Sequence, residues 1–149
     1  MPLARYALYA QGEQVHAALW PTASETFLIA CRNMAFEGKV FVVASCSYLL
    51  KSMLPPDFEL MKEMDGFPEV LLRGGSAIIG PDAKYLAGPI YDQETIVYAD
   101  IDLAQIVEEK QMLDVVGHYS RPDIFKLAID RREMVAATFP GDEENSGQS

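Results

Sequence analysis

The chain has 149 residues, half of them hydrophobic, which fits one globular domain able to bury roughly 70% of its unfolded surface. A formal net charge of −10 at pH 7 argues against a nucleic-acid backbone or an anionic membrane as partner, so neither is expected. Cys31 and Cys46 are too few for a disulfide framework, and His16 and His118 stand far apart without neighbouring ligands, so no metal or other cofactor is expected.

The first ten residues, MPLARYALYA, read as an apolar helix. Pro2 suits its first turn, whereas Met1 has no side-chain oxygen to cap the free amides. Leu3, Tyr6, Ala7 and Ala10 form one stripe and Leu8 and Tyr9 widen it, so this helix is expected to be buried on most sides. Gly12 is placed to end it. Val15 to Trp20 reads as a short buried strand. Thr22 and Glu25 have capping-box spacing and open a helix to about Glu37, with Phe27, Ala30, Cys31, Met34 and Ala35 on one face and Gly38 closing it. Val40 to Ala44 is continuously apolar, as in a strand covered on both faces. Strand, helix and strand in this order make a βαβ unit with parallel strands and a right-handed crossover.

From Ser47 to Gly75 the pattern is less regular. Pro55-Pro56 interrupts it, and a short helix is expected over Asp57 to Met64. A connection of this length points to an interaction or functional element. Strands follow at Ser76 to Ile79, Tyr85 to Ile90 and Thr95 to Ile101, joined by turns at Gly80 to Ala83 and Tyr91 to Glu94, and read as antiparallel neighbours. Asp102 opens a helix to about Leu113, and Ile124 to Ile129 is a last strand or extended arm. The tail GDEENSGQS, residues 140–149 with Pro140, has no apolar side chain beyond that proline and is expected to be disordered. The N-terminus shows no basic region followed by a cleavable apolar segment, which reads as a cytoplasmic protein.

Three stretches carry a resemblance in order: MPLARYALYAQGEQVHAALWPT at Met1 to Thr22; RNMAFEGKVFVVASCSY at Arg32 to Tyr48 with GGSAIIGPDAKYLAGPIYD at Gly74 to Asp92; and GHYSRPDIFKL at Gly117 to Leu127. Together they resemble the nitrilase branch of the carbon–nitrogen hydrolase superfamily. The resemblance implies an α/β fold of the αββα sandwich type, with residues 1–139 as a partial domain. It also implies a chemistry in which a cysteine thiolate attacks a nitrile carbon, ammonia leaves, and water releases the carboxylic acid, with a glutamate as base and a lysine stabilising charge. In the family the nucleophile lies in a Cys-Trp-Glu-Asn-x-Met-Pro motif, of which Met1 and Pro2 match the end. The chain therefore resembles the C-terminal half of a nitrilase, and no catalytic residue is assigned in it. Aliphatic, aromatic and arylacetonitrile substrates and cyanide all stay open.

Trp20, Pro21, Thr22, Ser45 and Cys46 are the candidate pocket wall, because the family analogy sets these two strand ends beside the nucleophile. Simple sheet-edge packing is the competing reading. An independent hydrolase using Cys46 with His118 is a further alternative, although free cysteines are mostly small core residues. Arg121 and Asp123 read as a pinned turn, and Asp102 as a helix cap. The resemblance also implies homo-oligomers through the helices at 2–11 and 22–37; a non-catalytic module pairing with the missing half or with a homologous subunit is the alternative function.

Overall fold

The computed structural model describes residues 1–22 and 24–130, so the acidic tail and the end of the expected 1–139 unit lie outside the described residues. Helix α1 (Pro2–Ala10) starts at Met1 with no side-chain cap bond and Pro2 in its first turn. Past its end the Gly12 amide donates to the Tyr9 carbonyl at 3.0 Å, with a φ of +81° that glycine adopts freely. Strand β1 (Val15–Trp20), helix α2 (Glu25–Gly38) and strand β2 (Phe41–Cys46) form the βαβ unit, with β1 and β2 parallel.

Helix α2 departs from the expectation at both ends. It starts at Glu25 with Ser24 at the N-cap and no side-chain cap bond, so the Thr22–Glu25 capping box does not form. Gly38 is its last helical residue, and Lys39 takes the left-handed position after it, with φ of 48°. The glycine is there for another reason: the ring of Tyr9 lies against it, where a side chain would collide. That contact joins α1 to α2. Tyr9 is the only residue of α1 that is buried; Leu3, Tyr6 and Leu8 are exposed, so α1 covers the domain with one side and is not enclosed on most sides.

The sheet has five strands. Strand β4 (Val70–Ile79) is its spine, six residues longer at its start than the sequence pattern suggested. Along one edge it pairs antiparallel first with β3 (Tyr48–Leu50) and then with β2; along the other it pairs with β5 (Tyr85–Tyr91). Ala44 faces Ala77 and Tyr48 faces Arg73, so three residues on each strand separate the two paired stretches. The register is therefore preserved, and β2 and β3 act as one strand interrupted at Ser47. The expected helix over Asp57 to Met64 is instead a chain of tight turns, among them the Met61 amide to the Phe58 carbonyl and the Met64 amide to the Met61 carbonyl. Thr95 to Ile101 forms no strand. Helix α3 (Ala104–Lys110) is shorter than expected, and residues 124–129 run as an exposed arm without strand pairing.

The core lies between α2 and one face of the sheet. Ala18, Val42, Ala44 and Ile79 meet Cys31 and Ala35 of α2, and Tyr9 closes the cluster. Lys39, 1% exposed, ties α3 to this layer: its Nζ donates to Glu109 Oε2 at 3.0 Å and to the Pro81 carbonyl at 3.4 Å, and lies 4.2 Å from the Phe36 ring centroid. A buried ammonium needs such partners, since an uncompensated charge there is costly.

Candidate functional site

Because α2 carries the chain back to start β2 parallel to β1, both strands end at the same edge, and Leu19 stands opposite Ser45 and Trp20 opposite Cys46. Successive side chains on a strand point to opposite faces. The five candidate residues therefore fall into two groups. Trp20 packs on the core beside α2, stacks on Phe27 with centroids 4.5 Å apart, and donates from Nε1 to Cys31 Sγ at 3.2 Å. Cys46 is on the same face, against Leu28 and Ala77. Ser45 is on the other face and exposed. Pro21 is exposed and Thr22 half-buried in the turn that leads into α2.

Leu19 was absent from the sequence-based set, yet it stands beside Ser45 on the face away from α2 and is 78% exposed. Its signal was present in the alternation of VHAALW, which puts Leu19 and Trp20 on opposite faces. Ser76 was also missed. Its Oγ accepts from the Cys46 amide at 3.0 Å and donates to the Cys46 carbonyl at 3.2 Å, and the Gly74 amide donates to the Ser47 carbonyl at 3.0 Å. These bonds bridge the gap between the two paired stretches of the spine strand. A single hydroxyl thus satisfies two backbone groups that lie at a sheet irregularity, and nothing in the local sequence announces it.

Burial pushes the Cys46 thiol above its ordinary value, and the neighbouring Cys31 raises it further. Burial raises the Cys31 thiol too, opposed by the bond from Trp20. A nucleophilic cysteine needs the opposite, a pKa lowered by cations or a helix N-terminus. His118 sits in an exposed turn, 4.5 Å centroid to centroid from Tyr119, and is 72 positions from Cys46 in the chain. Arg121 and Asp123 form a two-pronged ion pair that pins the turn, as the sequence suggested, whereas the N-cap of α3 is Leu103, not Asp102, whose Oδ1 accepts from the Ala104 amide at 2.9 Å in the turn before the helix. Arg73 is equally engaged, gripping Asp92 across β4 and β5. A cleft of about 680 Å³ opens between α1 and residues 115–127, lined by Leu3, Tyr6, Val115, Tyr119, Phe125 and Leu127 among others, and none of the five candidate residues borders it. Among the described residues no group of three or more His, Cys, Asp or Glu side chains could hold a metal ion, and no helix is long and apolar enough to cross a membrane.

The family model described as carbon-nitrogen hydrolase matches residues 1–111. A nitrilase of Bradyrhizobium diazoefficiens is 44% identical over 141 residues, an alignment covering 93% of this chain and 43% of that protein. An aliphatic nitrilase of Sinorhizobium fredii is 40% identical over 140 residues, covering 91% and 44%, and nitrilase 1 of Arabidopsis thaliana is 36% identical over 143 residues, covering 93% and 41%. The chain thus spans about two fifths of the length of these curated relatives. Among solved structures, a carbon-nitrogen hydrolase from Helicobacter pylori G27 superposes with a TM-score of 0.64 at 19% identity, over 84% of this chain and 44% of that one. At that identity the likeness speaks for the mixed α/β fold alone.

Proposed function

Because the chain belongs to the carbon–nitrogen hydrolase family, we propose that it is the C-terminal portion of a nitrilase, supplying one sheet of the sandwich and part of the pocket wall. The cysteine, glutamate and lysine of the family's reaction come, in this reading, from the portion that precedes the segment matched by Met1 and Pro2. The thiolate of the assembled enzyme adds to the nitrile carbon to give a thioimidate, one water converts this to a thioester as ammonia leaves, and a second water cleaves the C–S bond to release the carboxylic acid and restore the thiol. This chain alone does not turn nitriles over.

The observation that carries the proposal is the sheet face that the described residues leave open beyond the buried Phe41 and Ile78. Helices pack on one side, while Val15, Leu19 and Val43 on the other are exposed, as are Ala17 and Ser45. A sheet with apolar side chains on both faces is built to be covered on both, and in an αββα sandwich the cover is a second sheet. The exposed Leu3, Tyr6 and Leu8 of α1, with Ile29 and Phe36 of α2, support association of such enzymes into homo-oligomers through α1 and α2. A cytoplasmic site of action accords with this reading.

The test is a chimera in which the preceding portion of the Bradyrhizobium nitrilase is joined to this chain. It should release ammonia from nitriles, while the purified chain releases none. A folded but inactive chimera, or turnover by the chain alone that disappears in Cys46→Ala, overturns the proposal. The second reading, a pairing module without catalysis, is favoured if the chain co-elutes with the separately expressed portion and the pair stays inactive.

A further inference from the structure

Two strand ends that meet at one sheet edge do not contribute equally to a pocket on one side of that sheet. Trp20 and Cys46 are committed to the α2 side: the indole is held by Phe27 and Cys31 Sγ, and Cys46 by Leu28 and Ala77. The residues just before them in the chain, Leu19 and Ser45, pair with each other across the strands and look to the opposite side, where nothing among the described residues covers Leu19. Along β2 the same face is closed at its start, with Phe41 fully buried, and opens through Val43 at 38% exposure to Ser45. The open end is thus lined by a large aliphatic side chain beside a small hydroxyl one, side by side on adjacent strands. Next to Ser45, the Ser76 hydroxyl bonds both the amide and the carbonyl of Cys46, which ties this strand end to the spine strand.

We propose that Leu19 and Ser45, paired across β1 and β2, are specificity-determining residues that set how broad a nitrile the assembled enzyme accepts. The inference rests on the reading given under the proposed function. Leu19 narrows the space and Ser45 leaves it open, so volume removed at 19 favours broad aryl nitriles and volume added at 45 favours slim alkyl ones. Adding or removing a methylene in an apolar pocket changes discrimination by roughly 10- to 200-fold.

The experiment uses the chimera described above and compares kcat/KM for benzonitrile with kcat/KM for propionitrile. Leu19→Ala should raise the aryl-to-alkyl ratio at least about tenfold, Leu19→Val should raise it by less, and Ser45→Val should lower it. Val15→Ala lies on the same face, roughly 13 Å along the strand from Leu19, and should leave the ratio unchanged. Active variants whose ratio stays at the starting value overturn the inference while leaving the proposed function standing. So does a Val15→Ala ratio that moves as far as that of Leu19→Ala, since the effect is then general sheet packing. An unsubstituted chimera that is folded and inactive overturns the proposed function, and this inference with it.

Discussion

Replacing Gly38 by alanine tests the junction on which the position of α1 depends. A Cβ there would stand 2.7 Å from both Cδ1 and Cζ of Tyr9, and nearer still to Cε1. The ring cannot swing aside cheaply, because Tyr9 is 4% exposed, lies in the main core cluster, and donates from its hydroxyl to the Met34 carbonyl at 3.4 Å. Forcing a methyl into a packed contact costs about 1–3 kcal/mol. Against this, alanine is the better helix former by up to about 1 kcal/mol, and by less in a last turn. The net expectation is a loss of about 1–2 kcal/mol, or a melting temperature lower by roughly 3–8 °C in a chain of this size. Urea titration of the purified chain followed by far-ultraviolet circular dichroism measures it. The decisive arm is the double variant: with Tyr9→Val the collision disappears, and Gly38→Ala should become neutral or mildly stabilising. A Gly38→Ala chain as stable as the original, or an equal loss in both backgrounds, refutes the claim that Tyr9 seats α1 on α2.

Three further outcomes follow from the packing and the electrostatics. Glu109→Leu leaves the buried Lys39 ammonium with only the Pro81 carbonyl and the Phe36 ring, and should cost about 2–3 kcal/mol, discounted from the usual 3–5 because the carboxylate is partly exposed; adding Lys39→Met should recover most of it by urea titration. The hydrogen bonds from Arg73 hold the Asp92 carboxyl below its ordinary range, so the stabilisation this pair gives is present above the unfolded carboxylate pKa of about 3.9 and fades as pH falls through the lower folded value; Arg73→Gln should move the carboxyl midpoint upward in an NMR titration. Because burial raises both thiols, iodoacetamide should label the native chain slowly at pH 7, Cys46 ahead of Cys31, and faster in Ser76→Ala, where the Cys46 backbone loses its clasp. Rapid, selective modification of Cys46 in the unsubstituted chain, read by mass spectrometry, would contradict this and favour an independent thiol enzyme.

The sequence was informative where hydrophobic periodicity and punctuation agree. The parallel pair with its helix, and the β4–β5 hairpin over the Gly80–Ala83 turn, are visible for that reason. It misled where residues serve a tertiary purpose. Gly38 reads as a helix terminator but is small to admit Tyr9, and Lys39 takes the left-handed position instead. The stretch ending at Gly75 reads as irregular, yet Gly74 and Gly75, with φ of 81° and 108°, lie inside one long strand where its partner changes from β3 to β2. Thr95 to Ile101 has strand-like residues but no pairing partner among the described residues, and propensity alone does not make a strand. At the candidate site, the order of elements located the two strand ends, and the family resemblance singled them out as pocket wall. Which side chains share a face depends on a phase of one residue, and contacts to α2 settle it by claiming Trp20 and Cys46.

The sheet face left open among the described residues also shapes the colloidal behaviour of the chain. Two copies meeting through Leu19 and Val43 would hide apolar area, but each carries a formal charge of −10. At low ionic strength the long-range repulsion between like-charged bodies opposes that encounter; at 1 M salt the screening length falls to about 3 Å and the barrier is gone. Light scattering against salt concentration should therefore show a chain that stays dispersed in dilute buffer and clusters as salt rises. Its acidity acts as an electrostatic guard over an exposed apolar surface.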